Sequence, residues 1–300
     1  MKPQVLGPIL DVFAAPGEST DPNRHESTVI TPDSVFQPGN ALNRGTIHNM
    51  LDRLVLPSST VAHAERMDEL FRLSSSGVPC LILMEHYSNF DIPCLYYLLE
   101  KGGRQEIADH ITAIAGMKLN EESGFVNSFA KAYTRLVIYP SRTLMKLRET
   151  DADAYAREDA RSRQINMAAT RAMIRLKHEG HLILVFPSGT RYREGEPETK
   201  RGVKEVDSYI KSFEYVVFVG VAGNVLRIHP SGDMTRDLAA RDLVVFSPSP
   251  ITSCEEFRSR ARATSCEGDP KQCVADAVMA RLEELHAEAE AERQRLLETS

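Results

Sequence analysis

The chain has no apolar run long enough to span a bilayer, which takes about 20 consecutive apolar residues in a helix. Its longest apolar runs, such as Leu81-Ile82-Leu83-Met84, have the length of core strands. Cysteine is scarce: Cys80, Cys94, Cys254, Cys266 and Cys273 are an odd number without a Cys-x-x-Cys pair. That usage argues against a disulfide framework and for buried thiols in a reducing, cytoplasmic setting. Basic charge is not in surplus either. The net charge is -6, so nucleic acid is not expected as a partner. Met1 to Pro16 carries Asp11 and shows neither a secretory-signal pattern nor an Arg/Ser-rich transit pattern. No internal repeat is present.

What the sequence does contain is alternation. Residues 1–76 read as an arm rich in Pro, Ser, Thr, Asn and Gly, followed by two short helices separated at Pro57. Residues 77–300 read as a domain of interleaved strands and helices with a long charged C-terminal helix. Strands are expected at Pro79–Met84, His110–Ala115, Leu136–Tyr139, His181–Phe186, Tyr215–Val221 and Leu243–Phe246. Helices are expected at Ile92–Lys101, Asn120–Ala132, Asp153–Glu179, Val203–Ser212 and Lys271–Leu297. The implied fold class is α/β, a mixed sheet flanked by helices on both faces, with a short helical N-terminal part.

Open α/β sheets bind ligands at the carboxyl ends of their strands, and four stretches fall at such exits. In the first, His86-Tyr87-Ser88-Asn89-Phe90-Asp91 lies between an apolar strand and an apolar helix. An aspartate in the first turn can accept the Nδ1 proton of His86 and leave Nε2 free as a general base. In the second, Pro187-Ser188-Gly189-Thr190-Arg191-Tyr192-Arg193, two arginines share a side of an extended segment beside a glycine that lets a ligand approach. Their guanidinium forks suit a phosphate. The third group comprises Arg142, after Leu136–Tyr139, and Lys118, after His110–Ala115. The fourth, Val219-Gly220-Val221-Ala222-Gly223-Asn224, either relieves a crowded strand end or lines an acyl channel. Against these, His178 and His181 lack carboxylate or cysteine partners for a metal. Ser188 is outside a Gly-x-Ser-x-Gly elbow, and Cys94 falls within an apolar helix.

Together these motifs resemble the glycerolipid acyltransferase family. His86-x4-Asp91 matches its first motif, and Phe186-Pro187-Ser188-Gly189-Thr190-Arg191 its third, with Ser188 in place of the usual glutamate. Pro187-Ser188-Gly189-x-Arg191-x-Arg193 is similar to the soluble, plastid-type glycerol-3-phosphate acyltransferases. In the second motif Arg142 matches one of a basic pair, with Ser141 beside it, and in the fourth Gly220 replaces a proline. The resemblance covers roughly residues 80–225 and implies the following expectations. The reaction is transfer of a fatty acyl group from acyl-carrier protein or acyl-CoA to the sn-1 hydroxyl of glycerol 3-phosphate. His86 and Asp91 are catalytic; Arg142, Arg191, Arg193 and Lys118 bind phosphate; Gly189 is a candidate oxyanion donor. No metal or other cofactor is called for. The setting is cytoplasmic with peripheral membrane contact, or a plastid stroma in a plant. Alternatives carried by the same motifs are acylation of 1-acylglycerol 3-phosphate and a non-catalytic lipid- or carrier-binding module.

Overall fold

The computed structural model describes residues 2–13, 29–117, 131–231, 233–264 and 268–299. Lys118 and most of the expected helix Asn120–Ala132 lie outside the described residues. The first strand, β1 (Gln4–Pro8), and the edge strands β2 (Phe36–Gln37) and β3 (Thr60–Val61) come from the N-terminal 76 residues. Then follow β4 (Cys80–Met84), β5 (Ile111–Gly116), β6 (Arg135–Ile138), β7 (Leu182–Val185) and β8 (Tyr215–Ala222). Last are β9 (Leu226–Arg227), β10 (Leu238–Arg241), β11 (Val245–Pro248) and β12 (Thr252–Ser253).

Nine of these strands make one mixed sheet in the order β2-β6-β5-β7-β4-β8-β11-β3, with β12 also on β8. The five central strands run parallel; β2 and β11 join antiparallel to β6 and β8. A parallel strand covered on both faces must be apolar throughout, and all five residues of β4 are buried. Cys80, Ile82 and Met84 face one core layer, under the helices Ala41–Leu54, Glu65–Ser75 and Asp91–Lys101. Leu81 and Leu83 face the other, under Val206–Ser212 and the C-terminal helix Pro270–Thr299. The α/β class with helices on both sheet faces is the observed architecture. A separate three-stranded sheet, β1-β10-β9, ties the N-terminus to the chain beyond β8.

Several expectations are corrected by tertiary contacts. The segment 1–45 is not only an arm: β1 pairs with β10, and β2 closes one edge of the main sheet. Ser141–Thr150, not expected as a helix, starts at Pro140, and Arg142 sits in its first turn, shortly after the exit of β6. The last long strand is β11, shifted downstream of Leu243–Phe246 because it pairs with both β8 and β3. The helix expected at Val203–Ser212 begins only at Val206. Cys80 and Cys94 are buried free thiols as read and Cys254 is a third, but Cys273 is disulfide-bonded, against the reading that turned away from crosslinks.

Candidate active site

The parallel registers Leu83↔Val185 and Met84↔Val219 bring the carboxyl ends of β4, β7 and β8 side by side. His86 follows β4, and the helix Asp91–Lys101 starts on the aspartate itself. Within that turn His86 Nδ1 lies 2.8 Å from Asp91 Oδ2. The same oxygen accepts the backbone N–H groups of Tyr87 at 2.7 Å and Ser88 at 2.9 Å. Asp91 Oδ1 accepts the Ser88 hydroxyl at 3.1 Å. Burying a carboxylate is costly unless its lone pairs are met, and four donors meet these. A carboxylate is acceptor-only, so Nδ1 of His86 carries the hydrogen and Nε2 keeps its lone pair.

The imidazole is also held from its face and its backbone. Its ring stacks on Phe186, with centroids 3.8 Å apart and planes 12° from parallel. Its carbonyl accepts the N–H of Tyr192 at 2.8 Å, stitching the turn after β4 to the loop after β7. The side chain of His86 is 16% exposed against 6% for Asp91, so the imidazole borders the cleft and the carboxylate is hidden. The cleft between the two loops is lined by His86, Tyr87, Ser188, Tyr192 and Lys200, among others. It offers about 10 Å3, roughly the room a single water needs.

The loop after β7 carries the other expected residues. Gly189 has φ +63°, a backbone region that glycine enters without a Cβ penalty. Its N–H donates to Phe186 O at 2.9 Å and is thereby committed to the turn. The hydroxyl of Ser188 donates to Thr190 O at 2.6 Å. Arg191 is buried, with Nη1 2.8 Å from Asp237 Oδ2. Arg193 is half-exposed, 3.5 Å from Glu196, and its N–H donates to the Thr199 hydroxyl. The two arginines therefore differ: one is fixed by a buried carboxylate, the other is at the surface. Arg142 is in the first turn of the helix Ser141–Thr150, with its side chain outside the described atoms, and Ser141 binds Glu205. His86, Asp91, Gly189, Arg191 and Arg193 are thus joined through two strand exits.

Sequence reading missed Asp237 and Glu85. Asp237 is fully buried, and besides Arg191 it accepts the N–H of His229 at 2.9 Å. Nothing local marks it, since its partner arrives from a different loop. Glu85 is buried and flanks His86. A carboxylate following the run Leu81-Ile82-Leu83-Met84 was the available signal.

Residues 61–206 match the family model Acyltransferase. This stretch is similar to acyltransferase domains. The match begins on β3, ends at the start of the helix Val206–Ser212, and contains both strand-exit loops. It supports a glycerolipid acyltransferase family and acyl transfer in general. No curated protein matches the chain. Asp237 and the C-terminal helix lie beyond the acyltransferase match. Among the described residues, no helix is long and apolar enough to cross a membrane, and no group of three or more His, Cys, Asp or Glu residues could hold a metal ion.

Proposed function

We propose that the acyltransferase domain moves a fatty acyl group from an acyl-carrier-protein or acyl-CoA thioester to the sn-1 hydroxyl of glycerol 3-phosphate. The observation that carries the reading is the His86–Asp91 pair, with Nδ1 engaged and Nε2 free, beside the Arg191–Arg193 loop. Nε2 of His86 takes the hydroxyl proton as the substrate oxygen attacks the thioester carbonyl carbon. Asp91 fixes the tautomer and stabilises the imidazolium. As the C–S bond breaks, the proton passes to the departing thiolate, giving the ester and a free thiol. Arg193, with Arg191, Arg142 and Lys118, binds the phosphate and orients the hydroxyl towards His86. On this reading residues 1–76 serve as an N-terminal part wrapped on the catalytic portion 77–300. The protein works in the cytoplasm, with peripheral contact to the membrane that receives its product.

The deciding assay offers the purified chain labelled glycerol 3-phosphate or 1-acylglycerol 3-phosphate, each with acyl-carrier protein or CoA thioesters. Formation of 1-acylglycerol 3-phosphate is expected. Acylation of the monoacyl acceptor alone would replace the substrate assignment and keep the dyad. No transfer with any pair would reject the enzyme reading in favour of a binding module.

A further inference from the structure

The C-terminal helix Pro270–Thr299 lies outside the acyltransferase match, yet it reaches the catalytic turn. His286 Nδ1 is 2.8 Å from Val221 O, 3.1 Å from Glu85 Oε2 and 3.2 Å from the Tyr87 hydroxyl. Two of those contacts are pure acceptors, so Nδ1 carries a hydrogen. Glu85 Oε1 accepts the Tyr87 hydroxyl at 2.9 Å, and Oε2 also accepts the N–H of Val221 at 2.9 Å. The residues before and after His86 are therefore both clamped by one cluster built on the buried Glu85. The helix comes this close only because position 220 is glycine: a Cβ there would collide with the backbone of Leu285 and His286.

We propose that His286 is a positioning residue of the active site, holding Glu85 and Tyr87 and through them the backbone that aims His86. The inference rests on His86 and Asp91 being the reacting pair. It also assigns a pH response. The groups facing His286 are Glu85, Tyr87, Lys200 and Glu283 of its own helix, with Lys200 itself paired to Glu283. The Glu85 hydrogen bond holds His286 above the ordinary imidazole range against the opposing effect of burial. A raised value means the charged clamp is present at lower pH and is lost as pH rises through it. Activity then falls on the alkaline side as His286 releases its proton.

The test uses the full chain with labelled glycerol 3-phosphate and an acyl thioester, over a pH series. His286→Ala is expected to lower kcat by about ten- to a hundredfold, the scale of a roughly 1 Å misplacement, with KM held within about twofold. His286→Asn restores an N–H donor without a titrating ring. It is expected to recover most of kcat at neutral pH and to lose the alkaline fall. Tyr87→Phe, which removes one hydroxyl, lowers kcat in the same direction if His286→Ala does not fold. An NMR readout needs no acceptor: the His86 Nδ1 proton held by Asp91 is expected to be sharp in the parent and broadened in His286→Ala. Parental kcat, pH profile and His86 proton signal in the His286 and Tyr87 variants, with His86→Ala inactive, overturn the inference and leave the dyad standing. Turnover retained by His86→Ala instead overturns the dyad.

Discussion

Asp91 is the residue on which the candidate chemistry turns, because one carboxylate both orients His86 and closes the turn that bears it. Asp91→Asn replaces an acceptor-only group by an amide that can present N–H to Nδ1. A wrong tautomer in a comparable His–Asp pair costs about 10^4 in kcat. A kcat loss of roughly 10^3–10^4 with a small change in KM is therefore expected from steady-state kinetics. The two arginines after β7 separate at the same scale. Arg191→Ala leaves Asp237 buried without its ion, so a loss of about 3–5 kcal/mol in urea-unfolding free energy is expected. Arg193 is paired at the surface, and its alanine variant is expected to stay within about 0.5 kcal/mol of the parent. Arg193→Ala is accordingly the clean probe of acceptor KM. An unchanged KM would remove Arg193 from the phosphate site.

At the scale of elements, the approach of the C-terminal helix to β8 is the decisive packing event. Gly220 and Gly223 were open to two readings, a relieved strand end or an acyl channel. The Cβ positions favour the first, since Gly220 meets the helix backbone and Gly223, at φ +83°, meets Leu243 O. Gly220→Ala is expected to destabilise by at least about 1–3 kcal/mol, the usual range for overpacking, because backbone rather than a flexible side chain must yield. Urea denaturation gives the number, and the loss of kcat is expected to follow that of the His286 variants. Val274, Val278, Leu282 and Leu285 on this helix are all fully buried. Their three- to four-residue spacing marks an apolar helix face, and β8 was expected as a strand too; what the sequence did not show is that the one packs on the other.

For the whole molecule, the buried titratable groups set the pH window of stability. Burial, assisted by Arg44, lowers His48 to about 4. The unfolded imidazole binds its proton near pH 6.5, so the unfolded state gains protons first as pH falls. Stability is full above about pH 6.5 and is lost as pH drops towards 4. The raised His286 acts in the opposite sense and in a different window: its contribution grows as pH falls through its raised value and is complete below about pH 6.5. Urea midpoints measured from pH 7.5 to 4.5 are expected to decline, and His48→Gln is expected to flatten that decline. An equal slope in the variant would assign the acid sensitivity to other groups.

What the sequence by itself determined is what short-range chemistry decides. The His86-to-Asp91 turn, the glycine at a left-handed position in Ser188-Gly189-Thr190, the fully apolar β4 and the long helix ending before Gly180 all depend on neighbours a few residues away. Periodicity and turn chemistry carry such information. The parts that escaped it depend on partners distant in the chain. Edge strands as short as Phe36–Gln37 and Thr60–Val61 have no period to read and exist because β6 and β11 offer them hydrogen bonds. Asp237 is unremarkable until Arg191 is folded against it. Glu85 and His286 form a pair only after the C-terminal helix has settled on Gly220. Local sequence placed the candidate His86–Asp91 pair, and tertiary packing decided which buried charges surround it, because a carboxylate or imidazole is tolerated in the interior only where distant chain brings its partner.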